Sequence, residues 1–491
     1  MSASPPSPVI RLGVLTVLLL TAGCVSAPRL GQKPVPLAAG DVAAARSLPA
    51  SAEAGWPGDG WWTTFGDPQL DALIEEGLNN SPDVAAAGAR FRKAGGLALE
   101  AGAALLPTLD ASGKAGYERQ SLNNGFPDEF KQYLPHGWHE NGQIAGSLNF
   151  DIDLWGRNRA ALAAATSEAR AAAIDTHQAQ LMLTTGIASA YADLLRLFEE
   201  RDVRQAALDI RTATQKLVAD RMANGLETRG SLRQSEAEVA TARSNLGAAE
   251  EAIALRRNQV AALLGAGPDR GLSISRPVLS TPASGRLPEG VTTDLVGRRP
   301  DIAAARERAE AAARRIGVAR ADFFPAINLS ALYGLQSLGL ENLFEKDSRF
   351  GSAGPAISLP IFHGGALRGR YRSARADYDE AVADYDRTVL TAYQQVADAV
   401  TSQRLVSQQL DDARAALAAS QEAYTIARSR YQGGLSSHLD VLAVEDRLLQ
   451  ARLAVAGLEA SARNLNIALV RALGGGFDVA ADKFAKDSSH G

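Results

Sequence analysis

Two stretches of the chain decide its fold because one is a copy of the other: Arg221-Met-Ala-Asn-Gly-Leu-Glu-Thr-Arg-Gly-Ser-Leu232 and Arg430-Tyr-Gln-Gly-Gly-Leu-Ser-Ser-His-Leu-Asp-Val441. They align without a gap, so that Gly225 matches Gly434 and Leu226 matches Leu435. Each copy ends one long helical pattern at a glycine and opens another at a Thr or Ser, which are C-cap and N-cap signals. Each copy therefore predicts the tip of a long helical hairpin, and the chain contains two.

The internal repeat extends far beyond the tips. Ser81-Pro-Asp83 returns as Arg299-Pro-Asp301, and Leu106-Pro107 returns as Phe324-Pro325. We expect a first repeat over 67–295 and a second over 296–473, with a flexible tail at 474–491. Unbroken helical patterns of this length are typical of coiled coils. Long helices are predicted at about 157–223, 229–264, 365–431 and 437–473.

The helical pattern changes after Leu106-Pro107 and again after Phe324-Pro325. Strands with one apolar face follow each of these two motifs. Apolar and polar residues alternate there with period two, over lengths of about 9–11 residues that can cross a bilayer when tilted. A half-buried strand pair in a soluble α+β domain would give the same alternation. The strands are predicted at about 107–119, 143–154, 326–335 and 352–362.

The alternation assigns each strand residue to one of two faces. If the strands span a membrane, the apolar set faces lipid and the polar set faces the lumen. The apolar set is Leu109, Tyr117, Leu148, Phe150, Ile327, Tyr333, Ile357 and Leu359. The polar set is Asp110, Lys114, Asn149, Asp151, Asn328 and Ser358.

The composition favours neither a nucleic-acid-binding protein nor a metalloenzyme. Among 491 residues the formal net charge is −4, without a basic block, so nucleic-acid binding has no electrostatic support. One cysteine and six histidines show no metal-ligand spacing, and the sequence has no phosphate loop and no nucleophile elbow. We therefore expect no catalytic residues, no metal site and no cofactor.

The N-terminus has the pattern of an export signal. Arg11 precedes a short apolar run, and small residues lead to Cys24, which predicts a signal peptide over 1–23. Leu20-Thr-Ala-Gly-Cys24 resembles a bacterial lipobox, although Thr21 stands where leucine is usual. This predicts a lipid on Cys24; the alternative is an ordinary cleavage site and a free thiol. Residues 24–66, rich in Pro, Ala and Gly, predict a tether that docks through its aromatic residues.

Four amphipathic strands in one chain leave two open edges. Lipid does not tolerate unpaired backbone groups, so several copies would have to close one barrel. The hairpins would then pack into a hollow helical cylinder. The function expected of such an assembly is that of a conducting channel. An all-α enzyme would not explain the strands or the signal, and a structural coiled coil would not explain the strands.

Several motifs in order resemble the NodT-type outer-membrane efflux lipoproteins of the TolC-like channel superfamily. The resemblance implies an α+β, mainly α fold: four membrane strands and two periplasmic hairpins per chain, completed by a homotrimer with a twelve-stranded barrel. It also implies the outer membrane as location, a periplasmic adaptor and an inner-membrane pump of the resistance-nodulation-division type as partners, and efflux as function. A type I protein secretion duct is the alternative. The motifs are Trp61-Trp-x-x-Phe65-x-Asp67, Leu106-Pro-Thr108, Asp151-Ile-Asp-Leu-Trp-Gly-Arg157, Arg298-Arg-Pro-Asp-Ile302, Ile316-Gly-x-Ala319 and Phe323-Phe-Pro325.

The resemblance also assigns roles at the tips. Gly225, Leu226, Gly434 and Leu435 would contact the adaptor. Asp440 lies where the superfamily carries a carboxylate ring that narrows the closed end. Tyr431 and Arg430 would help to hold that end closed.

The sequence departs from the pattern at two positions. Ala443 and Ser231 stand where other members have acidic residues. Ser437-x-x-Asp440 also fits a helix capping box, so Asp440 has a purely structural interpretation as well.

Overall fold

The computed structural model describes residues 28–44, 46–48, 55–123, 125, 127–280, 287–288 and 291–479. The fold is α+β and mainly α, as predicted. The described residues form two compact units. The first unit takes the described residues within Met1–Val35, Arg92–Ala169 and Glu307–Ala383. The second takes those within Pro36–Phe91, Arg170–Arg306 and Asp384–Gly491.

The compact units are not the sequence repeats. Each unit combines one part of 67–295 with the corresponding part of 296–473. The physical reason is that the strands of one repeat pair with the strands of the other, and the hairpins likewise pack against each other. The repeat is therefore a unit of sequence rather than a unit of packing.

The first unit contains one antiparallel sheet in the order β1-β2-β3-β4. Among the described residues, β1 and β4 each pair on one side only, so both edges of the sheet are open. The strands are β1 Thr108–Glu118, β2 His139–Ile152, β3 Ala326–Leu338 and β4 Arg349–Ser358.

The strand bounds differ from the prediction mainly in β2 and β4. β2 begins at His139, because Glu140 and Asn141 pair with the end of β1 despite being polar. β4 ends at Ser358 rather than near 362. Pro360 lacks the N–H that a continuing ladder would need.

The register sorts the strand residues as the alternation predicts. Leu109 pairs with Leu148, and Ile327 pairs with both Ile152 and Ile357, so these apolar residues share a face. On the opposite face, Asn328 pairs with Asp151. Leu359 falls after the end of β4 and has no place in the register.

The helices have nearly the predicted lengths. α3 and α7 are the two long helices, and α4 and α8 return from them after a short turn. One 18-residue window of α3 is apolar enough to cross a membrane, but 72% of it is buried inside the protein. The bounds are α1 Pro68–Asn80, α2 Pro82–Ala103, α3 Arg157–Ala223, α4 Arg229–Leu263, α5 Val291–Arg298, α6 Pro300–Ala321, α7 Ala366–Gln432 and α8 His438–Ala472; helical turns of four residues lie at Asp128–Lys131 and Asp269–Leu272.

The core of the second unit packs the tether against α1, the middle of α3 and the C-terminal parts of α4 and α8. Trp61 and Phe65 of the tether are buried beside α1 and the middle of α3, as expected of docking aromatics. Asp67 caps α1 by accepting a bond from the Gln69 N–H at 2.9 Å, and it also accepts one from the Tyr191 hydroxyl at 2.7 Å.

The tether also binds the tyrosines of α7. The Tyr385 hydroxyl lies 3.5 Å from the Leu37 carbonyl in the second unit, and Tyr378 donates to the Pro34 carbonyl at 3.1 Å in the first. These two tyrosines of α7 therefore hold the tether against the helix.

The predicted flexible tail does not begin at 474. Phe477 and Val479 pack against Ile174 and Ala304 in the second unit. A Cβ on Gly474 would lie 1.9 Å from the Arg298 carbonyl, so only glycine fits this crossing. Residues 480–491 lie outside the described part of the chain.

Candidate functional site: the paired hairpin tips

The two hairpin tips have the same backbone geometry. Gly225 and Gly434 both adopt left-handed conformations, with φ of 72° and 74°. The N–H of Leu226 bonds to the Arg221 carbonyl at 2.9 Å, and that of Leu435 to the Arg430 carbonyl at 2.8 Å. These are six-residue helix-ending turns that glycine permits at C′. The repeat in sequence is therefore a repeat in turn structure.

Each turn presents a leucine to solvent. Leu226 is 65% exposed and Leu435 is 73% exposed, so neither is held by the core of its own chain. A large apolar side chain at the same place in both turns is a candidate contact for a partner. These two glycines and two leucines are the residues that the family resemblance assigns to adaptor contact.

Tyr431 connects the two hairpins. It is buried, and its hydroxyl donates a hydrogen bond to Oε1 of Glu227, in the turn of the first hairpin, at 3.0 Å. The Arg221 guanidinium lies over its ring at 5.0 Å and donates to its carbonyl at 3.3 Å. Burial, together with the bond to Glu227, raises the pKa of Tyr431 to about 12. The hydroxyl therefore remains a donor at neutral pH.

Asp440 forms the predicted capping box. Its carboxylate accepts from the Ser437 N–H at 2.9 Å and from the Ser437 hydroxyl at 2.8 Å, while its own N–H bonds back to that hydroxyl at 3.3 Å. The backbone bond from Ser437, its hydroxyl and the positive charge of Arg430 lower the pKa of Asp440. Asp440 and Arg430 are both exposed, so the carboxylate is charged and accessible while it caps α8.

A buried ion pair lies one to two turns further from the tips. Nε of Arg211 in α3 lies 3.0 Å from Oε1 of Glu445 in α8, and its Nη2 lies 2.6 Å from Asp446. Glu445 is almost fully buried, whereas Asp446 is largely exposed. Burial raises the pKa of Glu445, although the bond from Arg211 and its positive charge act in the opposite direction. This pair ties the first hairpin to the second by a contact that the sequence analysis missed.

The partners of Tyr431 were not predicted from the sequence either. Arg221 matches Arg430 in the repeat, but Glu227 matches Ser436, so the repeat itself gives no sign of this bond. The one available signal was a difference between the two copies. Glu227 has no acidic counterpart in the second copy, and Tyr431 has no aromatic counterpart in the first.

Cys24 lies outside the described residues. Within the described residues, no group of three or more His, Cys, Asp or Glu side chains could hold a metal ion.

A family model and several known proteins match the chain. The family described as "Outer membrane efflux protein" matches residues 73–266 and 292–475. The solved structure of the outer membrane protein VceC from Vibrio cholerae superimposes with a TM-score of 0.81 and 42% identity, covering 86% of this chain and 100% of that one. The Campylobacter jejuni CmeC outer membrane channel has the same fold, with a TM-score of 0.85, 23% identity, and coverage of 95% and 98%.

Curated relatives agree with the structures. The fusaric acid resistance protein FusA of Burkholderia cepacia is 34% identical over 75% of this chain and 69% of its own length. The multidrug resistance outer membrane protein MdtP of Escherichia coli K12 is 31% identical, with coverage of 87% and 88%. The predicted resemblance to TolC-like channels and the predicted outer-membrane location are confirmed. Because the family transports rather than converts its substrates, it also favours the prediction that the chain is not an enzyme. The chain belongs to the outer membrane efflux protein family, as a channel of the outer membrane.

Proposed function

We propose that three copies of this chain form one channel, the passive exit duct of a tripartite efflux system. The observation that carries the proposal is the sheet with two open edges, β1 and β4, whose register collects apolar residues on one face. In a membrane these edges must be paired. Joining β4 of one copy to β1 of the next removes both. Three copies would give the twelve strands that the family resemblance implies.

The channel would receive its substrate from a periplasmic adaptor bound to the hairpin tips and from an inner-membrane pump of the resistance-nodulation-division type. Support for the tips as the docking surface comes from the two exposed leucines, Leu226 and Leu435, on identical turns. A closed aqueous duct offers a wall rather than a binding pocket, so selectivity would lie in the pump.

The substrates would be drugs or other small molecules. FusA is named for fusaric acid resistance and MdtP for multidrug resistance, while OpmQ of Pseudomonas aeruginosa, 30% identical to this chain, is named for pyoverdine export. Two of these names refer to resistance and one to export. The alternative, an exit duct for type I protein secretion, would use the same channel with a different pump.

A lipid on Cys24 would anchor each copy, as in NodT-type lipoproteins. One acyl chain binds membranes only marginally. The anchor would therefore act together with the barrel, mainly in targeting. The Trp61 and Phe65 contacts support a tether that is fixed on the body of the protein downstream of that anchor.

An efflux assay tests the proposal. The chain would be expressed, with an adaptor and a pump from the same genome, in a host that lacks its own outer membrane efflux channels. We expect resistance to small toxic molecules and loss of accumulated ethidium from the cells. Secretion of a protein into the medium without any change in resistance would favour the type I alternative and overturn efflux.

A further inference from the structure

His438 is a buried histidine at the start of α8 that the tip contacts described above do not use. It is 5% exposed, and its ring lies 5.9 Å from the ring of Tyr431. Within the described residues, neither ring nitrogen has a hydrogen-bond partner. A buried polar group without a partner is uncommon and costly. The chain therefore tolerates an unfavourable arrangement at the point where the two hairpins meet.

A carboxylate lies just beyond hydrogen-bond range of this ring. Nε2 of His438 is 3.8 Å from Oε2 of Glu238, which belongs to α4 in the first hairpin. A neutral imidazole has one N–H, whereas the protonated ring has two and carries a positive charge. A movement of about 1 Å would bring the two atoms to the distance of a charge-assisted hydrogen bond.

Charged and titratable groups from three helices surround His438. From α4 it faces Glu238, and from α7 it faces Tyr431, which is bonded to Glu227 and covered by Arg221. Further along α8 lies Glu445, a like charge to Glu238, paired with Arg211. The remaining charged groups at the helix start, Asp440 and Arg430, are exposed. Among the residues that the structure describes, the Glu238 carboxylate makes no hydrogen bond or other ion pair that would compete with His438.

We infer that His438 and Glu238 form a proton-dependent latch between the two hairpins. Imidazole is the side chain whose charge changes between about pH 5 and 8. Acidification would engage the ion pair and hold α8 against α4; a rise in pH would release it. The consequence for channel opening rests on the proposed function, because a latch between the hairpins matters to efflux only if their tips open. The His438–Glu238 contact itself does not depend on the proposed function.

Hydrogen–deuterium exchange of the full-length channel in detergent, without adaptor or pump, tests the latch. Amide protection at the starts of α8 and α4 would be compared at about pH 5.5 and 7.5, after correction for intrinsic exchange rates. In the wild type we expect roughly tenfold greater protection at the lower pH, the scale of one charge-assisted bond. His438→Asn and Glu238→Gln should both abolish this difference.

Arg229→Gln is the matched control, since Arg229 occupies the position of His438 in the first repeat and does not titrate in this range. It should leave the pH difference intact. Two different variants protect the test against misfolding of either one. Equal pH differences in the wild type, His438→Asn and Glu238→Gln would overturn the latch. Because no adaptor is present, failure of the latch would not bear on the efflux proposal.

Discussion

The hydroxyl of Tyr431 donates a hydrogen bond to Glu227 across the two hairpins, with an oxygen–oxygen distance of 3.0 Å. Tyr431 is the penultimate residue of the long helix of the second repeat, and Glu227 lies in the turn of the first. With Arg221 over the tyrosine ring, this contact closes one hairpin against the other at their tips. An opening of the tips by separation of the hairpins would have to break it.

Tyr431→Phe should loosen the tips. The substitution removes one bond to a charged group and leaves the ring in place, so we expect a loss of about 1.5–3 kcal/mol in the closed arrangement. The measurement is single-channel recording in planar bilayers, where the open fraction should rise. Tyr424→Phe is the control, because Tyr424 is also buried in α7 and, among the described residues, its hydroxyl makes no hydrogen bond to the first hairpin. Equal behaviour of the two variants would exclude a specific role for the Glu227 bond.

Asp440 can cap a helix and also line the channel, and a pair of substitutions separates the roles. Ser437→Ala weakens the cap but keeps the charge, whereas Asp440→Asn removes the charge but keeps hydrogen-bonding groups. If the carboxylates form a ring in the channel, Asp440→Asn should lower cation selectivity and Ser437→Ala should not. Reversal potentials in a salt gradient give the answer. Unchanged selectivity in Asp440→Asn would leave Asp440 as a capping residue only.

The cap should also depend on pH in a defined direction. Because the bonds from Ser437 lower the pKa of Asp440 in the folded chain, its contribution is present above the unfolded value of about 3.9. It is lost as the pH falls through the lower folded pKa. Protection of the first turn of α8 against hydrogen exchange should therefore fall only in strong acid, well separated from the range in which histidine titrates.

The ion pair of Arg211 predicts that substitutions at the neighbouring positions Glu445 and Asp446 differ strongly in their effect on stability. Glu445→Ala leaves the buried Arg211 with only its outer partner, and we expect a loss of about 3 kcal/mol in stability. Asp446→Ala removes an exposed carboxylate and should cost no more than about 1 kcal/mol. Thermal unfolding of the purified channel in detergent should rank the variants in this order. The opposite order would mean that Arg211 relies on Asp446.

The sequence predicted features that repeat or alternate, and it missed contacts between elements. The copied stretches at 221–232 and 430–441 predicted both turns, and period two predicted the two faces of the sheet. The Tyr431–Glu227 and Arg211–Glu445 contacts could not be predicted in this way. Each joins residues more than 200 positions apart, and neither pair has a counterpart in the other repeat.

The ends of the strands were also harder to predict than their centres. At the start of β2, polar residues occupy both faces, so the alternation that identifies a strand is lost there. Pairing with β1 continues nonetheless, because backbone hydrogen bonds do not depend on the side chains. The flexible tail was misjudged at 474–479 because glycines suggest mobility, whereas Gly474 allows a close crossing over Arg298.

The two strand faces predict opposite tolerance to charge at adjacent positions. Ile327→Arg would place a charge on the proposed lipid face, at a cost of about 2–4 kcal/mol near mid-membrane and less near the interface. Asn328→Arg would place the same charge on the proposed lumen face. We expect the first variant to reduce the amount of assembled channel in the outer membrane and the second to leave it near wild type. Equal assembly of both would show that the faces are assigned wrongly.

The exposed leucines of the tips predict where the adaptor binds. Cysteines at Leu226 and Leu435 should crosslink to cysteines in the cognate adaptor in living cells. Leu255 on α4 is 60% exposed and gives a control of similar accessibility away from the tips. Crosslinks at the control position, and none at either tip, would move the docking surface elsewhere on the chain.

Cys24 predicts a lipid at the mature N-terminus. Mass spectrometry of the membrane-extracted protein should find an acylated cysteine as its first residue. Cys24→Ala should reduce delivery to the outer membrane more than it reduces folding, since the barrel is proposed to span the membrane without the anchor. An unmodified thiol in the mature wild-type protein would contradict the lipoprotein assignment.

Closure of the barrel between copies is the central claim, and disulfide crosslinking of the two sheet edges tests it most directly. With Cys24 kept in place and the single Ala111→Cys variant as control, a cysteine at Ala111 in β1 would be combined in turn with one at each position of β4 from 349 to 357. A disulfide between neighbouring copies should appear at matched positions, with a ladder of one, two and three chains on a denaturing gel. A ladder that continues beyond three chains, or the absence of intermolecular disulfides at every combination, would contradict a barrel closed by three copies.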